Sequence, residues 1–95
     1  RTISNRYPRL IRNYPNPFHN FTTIVFYVSK PSALTLSVLD YQGKVKDEKR
    51  LGVYQQGIHE QQITVTGLPD GLFVFSLSDD LGRSSRLKVN IINNQ

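Results

Sequence analysis

The chain has 95 residues, 38% of them apolar, with no Cys, Met or Trp and a formal charge of +5. That describes one domain with a thin core, and it excludes a disulfide framework and a thiolate metal site. No apolar run approaches the ~20 residues of a membrane-spanning helix and no secretory leader pattern opens the chain; if the domain is exported, its address must lie upstream on a longer parent chain.

Residues 1–12 hold Arg1, Arg6, Arg9 and Arg12 with no acid, whereas residues 13–95 hold eight Lys or Arg against seven Asp or Glu. The basic character therefore belongs to the leader. A solvated linker over 1–12 is expected, with an electrostatic contact to an anionic surface as the sharper alternative. Leu10-Ile11 suggests a marginal first strand at 10–13. The domain proper, 13–95, opens on Asn13-Tyr14-Pro15-Asn16-Pro17-Phe18. Pro15 and Pro17 fix their own φ and bias Tyr14 and Asn16 toward extended geometry, which predicts a stiff rod near polyproline II with an aromatic at each end.

Strand patterns follow. In 22–28, Ile24, Phe26 and Val28 share one face; Leu34, Leu36 and Val38 do the same in the next strand. Asp40-Tyr41-Gln42-Gly43-Lys44 reads as a hairpin loop, the Asp bonding its own backbone and Gly43 taking positive φ. Residues 44–51 are charged on both faces, from Lys46 to Arg50, as a protected edge strand would be. Residues 52–57 read as a loop with Tyr54 packing back, and 59–66 as a strand with Gln61, Ile63 and Val65 on one face. After the turn Gly67-Leu68-Pro69-Asp70-Gly71, residues 72–78 place Phe73, Phe75 and Leu77 inward. Asp79-Asp80-Leu81-Gly82 turns the chain, and 84–92 closes it with Leu87, Val89 and Ile91 on one face. Short strands at this spacing, with no helical segment, predict an all-β immunoglobulin-like β-sandwich of about seven mostly antiparallel strands.

The search for reaction chemistry returns little. His19 and His59 are far apart in polar settings and read as surface residues. Asp79-Asp80 and Asp40 read as turn chemistry rather than a calcium site. Asn20-Phe21-Thr22 fits a glycosylation acceptor, relevant only in a glycosylating route. No nucleophile elbow, phosphate loop or dinucleotide fingerprint is present, so no enzyme and no cofactor is expected. The nearly balanced folded part argues against nucleic acid.

Three ordered blocks carry a resemblance. Tyr14-Pro15-Asn16-Pro17-Phe18 with Thr22-Thr23-Ile24, then Asp40-x-x-Gly43-Lys44, then Gly71-Leu72-Phe73 with Arg86-Leu87-Lys88-Val89 together resemble the C-terminal sorting domains of type IX secretion in Bacteroidetes-type bacteria. Phe73 stands where that family usually has Tyr, and the chain runs on past Lys88-Val89 to Asn93-Asn94-Gln95. The resemblance implies a non-enzyme carrying an N-terminal cargo domain. Its implied partners are an outer-membrane secretion translocon and a sortase, with an indirect link to anionic lipopolysaccharide. The cargo would cross the periplasm and reach the cell surface or the medium, and the cut would fall within 1–12. Tyr14, Pro15, Asn16, Pro17, Phe18, Asp40, Gly43, Lys44, Gly71, Phe73, Lys88 and Val89 are the sorting-motif candidates. A rival reading is an immunoglobulin-like carbohydrate-binding or adhesive module displaying Tyr27, Tyr41 and Tyr54; another is a structural spacer.

Overall fold

The computed structural model describes residues 8–92. Its strands are β1 (Arg9–His19), β2 (Phe21–Val28), β3 (Ser32–Leu39), β4 (Val45–Tyr54), β5 (Gly57–Thr64), β6 (Gly71–Ser78) and β7 (Ser84–Ile91). One layer runs β5-β2-β1 and the other β4-β3-β6-β7. Every neighbouring pair is antiparallel except β1 with β7. The period of two accounts for this architecture. Ile24, Phe26 and Val28 from one layer meet Leu34, Leu36, Val38, Phe73, Phe75 and Leu77 from the other in a single core. Phe75 is fully buried with the Phe18 ring tilted 6.0 Å from it, a side chain whose burial contributes roughly 1.5–3 kcal/mol.

The first strand departs most from expectation. The marginal strand at 10–13 is in fact the longest of the seven, eleven residues from Arg9. Leu10 is core, and its amide donates to Ser85 Oγ at 3.0 Å. Arg9–Arg12 therefore belong to a strand rather than to a linker, and Pro8 ahead of them is buried; residues 1–7 of that linker reading lie outside the described residues. The polyproline II rod is also absent. Arg9 to Tyr14 pair with β2, the register then breaks, Phe18 pairs with Ile91 of β7, and His19 meets Phe21 of β2 again only at the turn. The Pro-Asn-Pro piece is thus where one strand changes layers, and the Tyr14–Pro15 and Asn16–Pro17 bonds are cis. Side chains hold the crossing. Thr22 Oγ1, fully buried, donates to the Pro15 carbonyl at 2.9 Å and accepts from Asn13 Nδ2 at 3.1 Å, while Asn16 Oδ1 accepts from the Asn90 amide at 3.0 Å.

Two smaller corrections concern β4 and His59. The loop expected from residue 52 is still β4: a register shift between Leu34 and Thr35 is followed by resumed pairing, Ala33 with Val53 and Ser32 with Tyr54. Gly52, at φ 98°, supplies the left-handed residue this bulge requires. His59 is half-buried rather than a plain surface residue. It packs against the Tyr54 and Phe26 rings at 5.0 and 5.6 Å, and its Nε2 donates to the Gln55 carbonyl at 2.6 Å.

Candidate recognition surface

The pairing register places the two ends of the sandwich. Leu39 lies opposite Val74, Gly71 opposite Ile91 and Ile91 beside Phe18. So the end of β1, the β1–β2 turn at Asn20, the β3–β4 hairpin, the start of β6 and the end of β7 share one pole. Arg9 lies opposite Tyr27 and Leu10 bonds Ser85, so β1 starts at the other pole, beside the β2–β3 and β6–β7 turns.

Most of the sorting-motif candidates gather at the first pole, in two groups. One group is interior. Phe18, Phe73 and Val89 are core residues, and Gly71 sits at φ 141° where β6 begins. Phe73 is 4% exposed, so its ring lies almost wholly within the core. The other group is at the surface. Lys44 and Lys88 are exposed, as are Asn16 and Pro17. Across the outer face of the β4-β3-β6-β7 layer, Val45, Leu39, Val74 and Lys88 stand in one cross-strand row. Leu39 is covered by its neighbours, but Val45 at 54% and nearby Leu72 at 47% are exposed, and Tyr41 at the hairpin tip is exposed at 66%. The pole therefore shows an apolar strip edged by lysines.

Asp40 builds the hairpin that carries Tyr41 and Lys44. Its Oδ1 accepts from the Gln42 and Lys44 amides, both at 2.9 Å, and its backbone amide donates to the Lys44 carbonyl at 2.9 Å. Gly43 at φ 86° closes the turn. The Lys44 amide, with help from the Gln42 amide and the Lys46 and Lys44 charges, outweighs partial desolvation and holds the Asp40 carboxyl below its ordinary range.

Tyr14 and Pro15 lie on the way to this pole. The Tyr14 hydroxyl donates to Glu60 Oε1 at 2.6 Å, and the Arg12 guanidinium lies 4.8 Å from the ring centre. That hydrogen bond, then desolvation and the Glu60 charge, raise the Tyr14 pKa against an opposing pull from Arg12. Sequence reasoning quoted Asn13 and Thr22 within the motif but gave them no role. Their signal was a small polar residue on each side of Pro-Asn-Pro, a pattern able to satisfy a carbonyl left behind when a strand changes partners. Gly82 lies in the β6–β7 turn at the opposite pole. The three tyrosines of the rival sugar-platform reading are dispersed as well. Tyr41 tips the hairpin, Tyr27 lies on the outer face of β2 opposite Arg9 and Ile58, and Tyr54 faces Phe26 and donates to Gln61 Oε1 at 2.6 Å.

A family model described as a secretion system C-terminal sorting domain matches residues 12–93. No curated protein matches the chain. A solved structure, the crystal structure of CopC from Methylosinus trichosporium OB3b, is similar with a TM-score of 0.54 and 17% identity over 93% of this chain and 96% of that one. At that identity the likeness concerns the fold alone, a β-sandwich.

Proposed function

The chain belongs to the type IX secretion C-terminal sorting domain family, and we propose that it is the removable tag by which an outer-membrane translocon recognises a cargo joined to its N-terminal side. In this reading the domain acts through its surface and serves a protein destined for the cell surface or the medium. In the proposed sequence of events the cargo crosses the periplasm and the translocon reads the domain. A surface sortase then cuts within residues 1–12, leaving the cargo attached to anionic lipopolysaccharide or released. The observation that carries this reading is the family match across 12–93; the gathering of the exposed motif residues at the pole away from Arg9 supports it. A translocon engaging that pole meets Tyr41, Lys44, Val45, Leu72 and Lys88 without first meeting the cargo.

The test is to replace Lys44 and Lys88 with Glu, singly and together, on a fused reporter. Both side chains are exposed, so each exchange should move stability by no more than about 0.5 kcal/mol. Reporter delivery to the surface should fall several-fold, most in the double variant. Unchanged delivery with intact folding would move the read surface elsewhere. Delivery that tracks the thermal midpoint alone would reduce the motif to a folding role.

A further inference from the structure

The two free edges of the sandwich differ in how they meet water. β4 carries the run Lys46-Asp47-Glu48-Lys49-Arg50, its pairing with β3 is broken at two places, and Lys49 and Asp47 form a 3.4 Å ion pair. These are the features that prevent a strand from recruiting another. β5 has none of them. Its register with β2 is unbroken over all eight residues from Gly57 to Thr64, and it contains no Lys, Arg or Pro. Its single carboxylate, Glu60, is drawn back across β2 by the Tyr14 hydroxyl. Among the described residues no strand lies beyond it.

We propose that the free edge of β5 pairs with β5 of a second copy of this chain, antiparallel about a twofold axis, so that β1-β2-β5 continues into a six-stranded layer. The strand's own sequence selects this occupant. A twofold axis through the sheet keeps the buried faces on the same side, so only registers that pair residues of like face are allowed. With Gln61 opposite Gln61, Glu60 faces Gln62, His59 faces Ile63 and Ile58 faces Thr64, using seven of the eight residues of each strand. No like charges oppose, and each carboxylate meets an amide. The adjacent register, with Glu60 opposite Glu60, sets two carboxylates face to face and is disfavoured. Ile58, 60% exposed, gains cover from the methyl of Thr64. The contact is narrow, so the dimer forms in a concentration-dependent way and not as an obligate unit. This inference does not rest on the secretion role.

The test is sedimentation of the 95-residue chain over a concentration series, where the weight-average mass should rise from 10.9 kDa toward twice that. Gln62→Lys places an ammonium opposite the partner's Glu60 and should tighten the dimer about fivefold, whereas Gln62→Glu should weaken it by a similar factor. Residue 62 is exposed, so both variants fold. Because the chain has no Cys, oxidation of Gln61→Cys should give a disulfide-linked dimer while Gln62→Cys should not. A mass that stays monomeric at every concentration overturns the proposal. So does an equal response to the two charge variants, or dimerisation that responds to Lys49→Glu on β4 and not to residue 62. Capture of an added extended peptide by a chain that remains monomeric would assign the edge to a different occupant and also overturn it.

Discussion

The hairpins at the two poles of the β4-β3-β6-β7 layer are the same device used twice. Asp40-Tyr41-Gln42-Gly43-Lys44 and Asp79-Asp80-Leu81-Gly82-Arg83 share the spacing Asp-x-x-Gly-basic. In each, Asp Oδ1 accepts from the amides two and four residues on, and the Asp amide donates to the carbonyl of the basic residue at 2.9 Å. Gly43 and Gly82 sit at φ 86° and 84°. The difference lies in the side chains. The Asp79 side chain is 1% exposed and its Oδ2 is gripped by Arg83 Nε and Nη2, both at 3.0 Å. At Asp40 the ammonium of Lys44 makes no such grip, and Tyr41, Gln42 and Lys44 all face water. Turn-making accounts for the geometry of the Asp and Gly in both hairpins. What distinguishes the motif pole is the exposed trio on the loop.

The comparison yields a ranked set of expectations. Asp79→Ala should have the largest effect, about 2–3 kcal/mol, since it removes the charge-assisted hydrogen bonds that the buried Asp79 carboxylate makes to the turn and leaves Arg83 without that partner. A chain of this length should then lose roughly 10 °C or more in its thermal midpoint. Gly43→Ala and Gly82→Ala come next, at about 1 kcal/mol each. Neither new Cβ meets an atom within 4 Å, so the cost is backbone strain alone and should be equal in the two turns. Unequal losses would show that the turns are not equivalent devices. Asp40→Ala should lower the midpoint clearly less than Asp79→Ala; matching losses would erase the distinction between them.

The acid limb sharpens the same contrast. Burial works to raise the Asp79 pKa, but the Arg83 and Leu81 amides and the Arg83 guanidinium outweigh it, and the carboxyl lies below its ordinary range, as does that of Asp40. A carboxyl depressed on folding contributes stability above its unfolded value near ~4, and that contribution is lost as pH falls through the lower folded value. Thermal midpoints taken from pH 6 to pH 2 should fall for the native chain and run flatter for Asp79→Asn; parallel curves would assign the acid sensitivity elsewhere. The smallest expected change in stability comes from grafting the second loop onto the first, Tyr41→Asp, Gln42→Leu and Lys44→Arg together. The midpoint should hold within about 3 °C while delivery of a fused reporter drops. Full delivery by the graft would return the whole loop to structure.

How much of this was legible depends on whether the cause is local. The alternation in β2, β3 and β6 was readable because each strand hides one face in the shared core, and the six residues that β3 and β6 give to the core cluster are the ones the period selects. The run Lys46–Arg50 announced an edge because charge is what keeps an edge unpaired. β1 was not legible at its true length. Two prolines masked the strand pattern, and its second partner, Ile91, lies 73 residues beyond Phe18. The motif candidates were legible as a set but not as two groups. Phe18, Phe73 and Val89 serve the interior and Lys44 and Lys88 the exterior, a division that follows from which face each strand turns inward.

The crossing of β1 has a mechanical corollary. A tug on the residues ahead of Arg9 reaches β1 before any other strand, and β1 is bonded to β2 over its first half and to β7 at its far end. With the body held at the opposite pole, the pull runs along the strand axis. The bridging hydrogen bonds, Thr22 to Pro15 and Asn90 to Asn16 among them, then resist by sliding together instead of parting one after another. The first strand is a tether anchored in both layers, so a tug large enough to slide it free acts on the two layers at once.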